Sequence, residues 1–188
     1  MTYLPGLEPP APPADAHDGA GDEWYTPPEI LDAVRELTHD GVIDLDPCYA
    51  PGCLTNARHR IDVRQGGDGL RDLWPGSGLV WVNCPFSDVG PWLERCVSAS
   101  VVRPVVAMVP MRPETRAWWS HVWGAGGYVV VQRGRVRFVG TTGERHGNGM
   151  LTTCFVAWRE GLAQSLAEAL TRRGVDAVAL RMVEAVPW

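Results

Sequence analysis

Four consecutive residues, Asn83-Cys84-Pro85-Phe86, concentrate more chemistry than any other stretch of this chain. A side-chain amide, a backbone carbonyl and an aromatic ring stand side by side there. Together they suit a flat molecule that bears an amine, whose N–H groups the two oxygens accept while the ring covers its face. The tetrapeptide follows Leu79-Val80-Trp81-Val82, a short apolar run opened by Gly76 and Gly78. A run of that length and composition reads as a buried strand. Ligands of open α/β sheets bind beyond the carboxyl ends of the strands, so this strand is expected to deliver Asn83 to a site.

Two upstream loops have the same design. The apolar run Val42-Ile43-Asp44-Leu45 leads into Asp46-Pro47-Cys48-Tyr49-Ala50-Pro51-Gly52, an acid followed by a proline-rich loop. Asp68 lies in Gly66-Gly67-Asp68-Gly69-Leu70, where glycines allow a backbone to approach a ligand closely. Neither loop is a G-x-G-x-x-G fingerprint, and an acid such as Asp46 serves equally to cap a helix.

The elements that must position these loops alternate in type. Thr26, Pro27 and Glu29 make a capping box that predicts a helix with Ile30, Leu31, Val34 and Leu37 on one face and Gly41 at its end. Ser87 or Asp88 caps a second helix with Trp92, Leu93, Cys96 and Val97 inward. Val105 to Pro110 is a strand, and Arg112 to Arg116 opens a helix whose Trp118, Trp119 and Trp123 are expected mostly to pack. Tyr128 to Gln132 and Val136 to Val139 read as two strands of a hairpin about Arg133-Gly134-Arg135. Leu151 to Trp158 is a last strand, and Gly161 to Arg173 a helix stopped by Gly174. The pattern predicts an α/β sheet, parallel in its first part and antiparallel toward the C-terminus.

Composition bounds the rest. The 188 residues, 45% hydrophobic and 21% charged, suit one domain, assigned to residues 23–188. Residues 1–22, rich in proline, alanine and glycine with four acids, read as a disordered tail. The net charge of −5 argues against wholesale coating of nucleic acid but leaves room for a local basic patch. No apolar run reaches membrane-spanning length and no secretory signal is apparent, so the expectation is a cytoplasmic protein without membrane contact. The five cysteines read as buried, reduced thiols; Cys48, Cys53, His59 and Cys84 lack the paired knuckle of a zinc site.

Read in order, Tyr25-Thr26-Pro27, Asp44-Leu45-Asp46-Pro47-Cys48, Asp68-Gly69-Leu70 with Trp74, Asn83-Cys84-Pro85-Phe86, Val109-Pro110-Met111-Arg112 and Gly134-Arg135-Val136-Arg137-Phe138 form a recognisable series. From about Trp24 to Trp158 the chain resembles the phage-type DNA adenine methyltransferase (Dam) family. The resemblance implies a compact, Rossmann-like S-adenosylmethionine-dependent methyltransferase sheet with antiparallel C-terminal strands. It also implies methyl transfer to the exocyclic amine of an adenine flipped out of duplex DNA. Asn83, Cys84, Pro85 and Phe86 are then the catalytic residues. The family's tetrapeptide is Asn or Asp, Pro, Pro and an aromatic; Cys84 replaces the first proline, at a position expected to act through its carbonyl. Thr26, Asp46, Pro47, Cys48 and Asp68 become the cofactor-binding residues, with no metal. Arg112, Arg116, Arg133, Arg135 and Arg137 become the phosphate contacts. Two alternatives stand beside this reading. One is a methyltransferase on another planar amine, in RNA, cytosine or protein glutamine. The other is a degenerate member that binds cofactor or DNA in anti-restriction, which the Cys84 departure favours.

Overall fold

A computed structural model describes residues 25–140 and 152–181. The tail expected at residues 1–22 lies outside them, as does Leu151. Seven strands form one sheet: β1 (Leu45–Tyr49), β2 (His59–Asp62), β3 (Val80–Asn83), β4 (Val105–Pro110), β5 (Tyr128–Gln132), β6 (Thr153–Ala157) and β7 (Ala177–Arg181), in the order β2-β1-β3-β4-β6-β5-β7. The first four run parallel. β6 lies antiparallel between β4 and β5, and β7 lies antiparallel on the outer side of β5.

Helices cover both faces, which is why the central strands are continuously apolar instead of alternating with polar residues. Helix α1 (Pro28–Arg35) and helix α4 (Glu160–Arg172) pack on one face, where Leu31, Val34, Leu166 and Leu170 meet Trp81, Met108 and Phe155. Helix α2 (Val89–Ser100) and the short α3 (Arg116–Trp118), continued by a π-helical turn Trp119–Trp123, pack on the other against Val80, Val82, Ala107 and Val109. Trp118 is buried, Trp123 packs at the edge of that core, and Trp119 is 51% exposed. The period of two along β3 sends Trp81 to the α1 face and Val82 to the α2 face, and so returns Asn83 to the α1 face.

The amino end of the sheet is closed by a buried ion pair. Arg103 Nη2 donates to Asp44 Oδ2 at 2.8 Å, and both side chains are at least nine-tenths buried. The remaining guanidinium donors reach the carbonyls of Gly78 (2.9 Å) and Pro75 (2.7 Å), and the Gly78 N–H donates to Asp44 Oδ2 at 2.6 Å. A Cβ on Gly76 would stand 2.3 Å from that carboxylate, so the turn needs glycine there as well as for its φ of +76°.

Several expectations are corrected. β2 and β7 have no counterpart in the sequence reading. Val136 to Val139 is no hairpin strand of β5: β5 pairs with β6 and β7, and among the described residues this segment makes the isolated bridge Val139–Tyr25. β1 begins at Leu45 and continues through Pro47 and Cys48; its pairing with β2 shifts between Asp46 and Tyr49, where the proline ring has no N–H to offer the ladder. α1 starts at Pro28 with Pro27 as its N-cap, so no capping box forms on Thr26, and the helix ends at Arg35, before Gly41. Asp88 precedes α2 without a side-chain cap. Among the described residues no helix is long and apolar enough to cross a membrane.

Candidate active site at the carboxyl end of the sheet

The sheet order reverses at β1: the chain passes from β1 to β2 on one side and returns to β3 on the other. Loops leaving β1 and β3 therefore diverge, which opens a crevice at their carboxyl ends, the place where sheets of this kind bind ligands. β1 brings Asp46, Pro47 and Cys48 to that crevice, and β3 brings Asn83.

Asn83 is partly exposed, and its Nδ2 donates to Thr26 Oγ1 at 3.3 Å, across 57 residues of sequence. The Cys48 thiol lies against the Asn83 backbone N–H, and burial pushes its pKa well above the ordinary thiol range. Cys84 turns its side chain into the α2-side core, where burial pushes the thiol up to about 12. Its side chain is therefore a protonated, apolar part of that core. Pro85 is exposed. Phe86 is half-buried, edge to face with Phe138 at 6.1 Å between ring centroids and an interplanar angle of 68°.

The acids divide into different environments. Asp46 is buried; its Oδ1 accepts from the Cys48 N–H at 3.0 Å and its Oδ2 from the Thr55 hydroxyl at 2.8 Å, with the Cys53 thiol at 3.7 Å. Burial raises its pKa above the usual aspartate range, against the pull of those hydrogen bonds. In this arrangement Asp46 folds the 47–55 loop back onto β1. Asp68 caps the next turn, accepting from the Leu70 N–H at 2.9 Å, and is more open to solvent, with Arg71 at 3.6 Å. Gly69 between them is obligatory, because a Cβ there would lie 2.2 Å from the Pro47 carbonyl oxygen; that contact closes the Asp68 loop onto the end of β1.

A third acid escaped the sequence reading. Asp62 ends β2 beside Tyr49, and its oxygens accept from the Arg64 N–H (2.9 Å) and Gln65 Nε2 (3.0 Å). His59-Arg60-Ile61-Asp62 contains one large apolar residue, so no periodicity marks it as a strand. Its place at the end of the strand that follows β1 is visible only in the fold.

All five arginines singled out by sequence are exposed and follow strands that end at this edge. Arg112 and Arg116 come after β4; Arg133, Arg135 and Arg137 come after β5, whose direction is that of β4. Arg133 is paired with Asp176 at 3.5 Å. Beyond it the chain runs extended, with Val136 and Phe138 buried and Arg135 and Arg137 facing out, until Val139 exchanges two backbone hydrogen bonds of 3.0 Å with Tyr25. This strap closes one side of the crevice with an aromatic inner surface and a cationic outer one. Cys48, Cys53, His59 and Cys84 do not converge; among the described residues no group of three or more His, Cys, Asp or Glu is gathered to hold a metal ion.

No curated protein and no solved structure matches the chain. A family model, DNA N-6-adenine-methyltransferase (Dam), matches residues 14–173, which include every strand except β7 and all of the loops that form the crevice. An amide, a carbonyl and a ring at the end of β3, ringed by acids and arginines, thus belong to a chain that is a member of the DNA N-6-adenine-methyltransferase (Dam) family.

Proposed function

We propose that the chain transfers the methyl group of S-adenosylmethionine to the exocyclic amine of an adenine turned out of duplex DNA. The observation that carries this is the placement of Asn83 at the sheet's switch point, on the edge shared by the acidic loops and the arginine strap. When bound, the cofactor supplies an electrophilic methyl group on a sulfonium.

The residues present fit that cofactor by their chemistry. The Asp68 carboxylate is open to solvent beside a glycine loop, and Asp62 stands at the end of the neighbouring strand; carboxylates suit an ammonium and ribose hydroxyls. Asp46, Pro47 and Cys48 form the wall between those acids and Asn83, with Asp46 holding that wall in shape.

Adenine's amine is a poor nucleophile because its lone pair is delocalised into the ring. Acceptors at the Asn83 Oδ1 and the Cys84 carbonyl take its two N–H groups and favour a tetrahedral nitrogen, whose lone pair then points out of the base plane. Phe86, steadied by Phe138, covers the base and holds it in orientation. The arginines of the strap and of the segment after β4 take the phosphates on either side.

The test is incubation of unmethylated plasmid with labelled cofactor, followed by mapping of the modified base. N6-methyladenine is the expected product. Asn83→Ala should lower single-turnover methylation on the order of 100-fold, as loss of one preorganised polar group does, with cofactor affinity by calorimetry unchanged. Label in cytosine, in RNA only, or nowhere overturns the proposal; cofactor binding by an inactive parent points to the degenerate reading.

A further inference from the structure

The sequence Tyr25-Thr26-Pro27-Pro28 is built as a bracket, and what it holds is Asn83. Tyr25 is fixed at three points: its N–H and C=O pair with Val139 at 3.0 Å each, and its hydroxyl donates to the Pro51 carbonyl at 2.6 Å. Its ring rests on Gly52, where a Cβ would come within 3.1 Å of the hydroxyl oxygen. On the other side, Pro27 and Pro28 have fixed φ angles, and the Pro27 carbonyl is engaged by the N–H groups of Ile30 and Leu31. Thr26 is thus pinned between a sheet bridge and a helix start. Thr26 as a residue is 4% exposed, so water does not readily substitute for its hydroxyl.

A planar amide has its oxygen and nitrogen on opposite sides of Cγ, so whichever atom faces Thr26 dictates what the other presents. With Nδ2 on Thr26, the oxygen is the atom turned away; the reverse orientation would present a donor to a substrate amine that is itself a donor. We propose that Thr26 is a positioning residue, whose hydroxyl anchors the Asn83 amide in the orientation seen here, Nδ2 on Thr26 and the oxygen turned toward the substrate amine. This rests on the function proposed above, and it moves Thr26 out of the cofactor set suggested by resemblance. It also ties the strap and the 47–55 loop, through Tyr25, to the residue that accepts the substrate's proton donors.

Thr26→Val keeps the shape and removes the hydroxyl; Thr26→Ser keeps the hydroxyl. In the full-length chain, Thr26→Val should lose about tenfold or more in turnover, with the KM for DNA and the cofactor affinity within about twofold of the parent, and Thr26→Ser should restore most of that loss. A second readout needs no catalysis. The side-chain amide of Asn83, assigned by its disappearance in Asn83→Ala, should show slowed hydrogen exchange in the parent and in Thr26→Ser, and fast exchange in Thr26→Val. Unchanged amide protection or parent-like turnover in Thr26→Val overturns the proposal. Lost cofactor affinity at unchanged turnover overturns it in favour of a cofactor ligand. A protected amide in a parent that methylates no adenine overturns instead the function on which the proposal rests.

Discussion

Asp44 and Asp46 are two residues apart, one just before β1 and one near its start, and both are buried, yet their charges are met in opposite ways. Asp44, at the amino end, is answered by a cation: Arg103 reaches it at 2.8 Å and fills its own remaining donors with turn carbonyls. Asp46, two residues on and beneath the loop that leads to the carboxyl edge, is answered by a backbone N–H, a hydroxyl and a thiol. The first arrangement is closed, with charge cancelled by charge inside one network. At the second, the exposed arginines of the same edge are directed outward. One end of this sheet is finished by a buried ion pair, whereas the other carries exposed arginines and a partly exposed amide.

The largest effect expected from that contrast is at the closed end. Arg103→Ala takes the buried partner from the Asp44 carboxylate and leaves it the exposed Arg58 guanidinium at 3.9 Å, which should cost up to about 3–5 kcal/mol of stability. At roughly 2–4 °C per kcal/mol for a chain of this size, the melting temperature should fall on the order of 10 °C. Activity per folded molecule, assayed well below that temperature, should match the parent. Thermal unfolding beside a methylation assay decides it, and a drop of only a degree or two would remove the distinction between the two ends.

At the open end the same loss of positive charge should spare the fold and weaken the partner. Replacing Arg135 and Arg137 together by alanine should reduce the slope of log affinity against log salt by about two, one for each phosphate contact. Melting temperature should stay within a degree or so. An unchanged slope in a salt titration of duplex binding would place the DNA surface away from the strap.

The smallest effect sharpens the comparison of the two aspartates themselves. Burial raises the Asp46 pKa, so the folded chain retains this proton to higher pH than the unfolded chain does. The stability linked to it is fully present below the ordinary aspartate pKa of about 3.9 and is lost as pH rises through the raised value. Asp46→Asn still accepts from the Cys48 N–H and can donate to the Thr55 hydroxyl. The parent's stability relative to this variant should therefore decline with rising pH across that window. Urea denaturation at several pH values measures it, and a flat difference would mean that Asp46 is no harder to ionise than an exposed aspartate.

What the sequence disclosed follows from how each signal arises. The strands Val80–Asn83 and Val105–Pro110 were legible because both of their faces are buried, which forces continuous apolar runs. β2 and β7 were not: one offers Ile61 alone as a large apolar residue, and the other is a half-exposed edge in which alanines alternate with exposed Val178 and Leu180. Val136 to Val139 shows the opposite failure. Its alternation reports extended chain with one face buried, which is correct, but alternation carries no information about whether a ladder partner exists. At the site, the loops around Asp46 and Asn83 were legible from the apolar runs before them, and the Asp68 loop from its glycines. The destination of the Thr26 hydroxyl was not, because its spacing to Glu29 matches a helix cap and nothing local announces a partner 57 residues away.

The insertion of β6 between β4 and β5 also sets an order of assembly. The strands β2-β1-β3-β4 are contiguous both in sequence, within residues 45–110, and in the sheet, so they can pair as soon as that length of chain exists. β5 cannot join them, because in the sheet it is bonded to β6 and β7 and not to β4. Until residues 153–157 arrive, β4 presents an open edge of six buried-type residues, Val105 to Pro110, and the strap that follows β5 has no fixed origin. Such an unpaired apolar edge is a site for association with other chains during synthesis. A ribosome pausing within the residues that precede β6 would prolong that exposure, and the edge that carries Asn83 can be completed only after the last central strand has slotted into place.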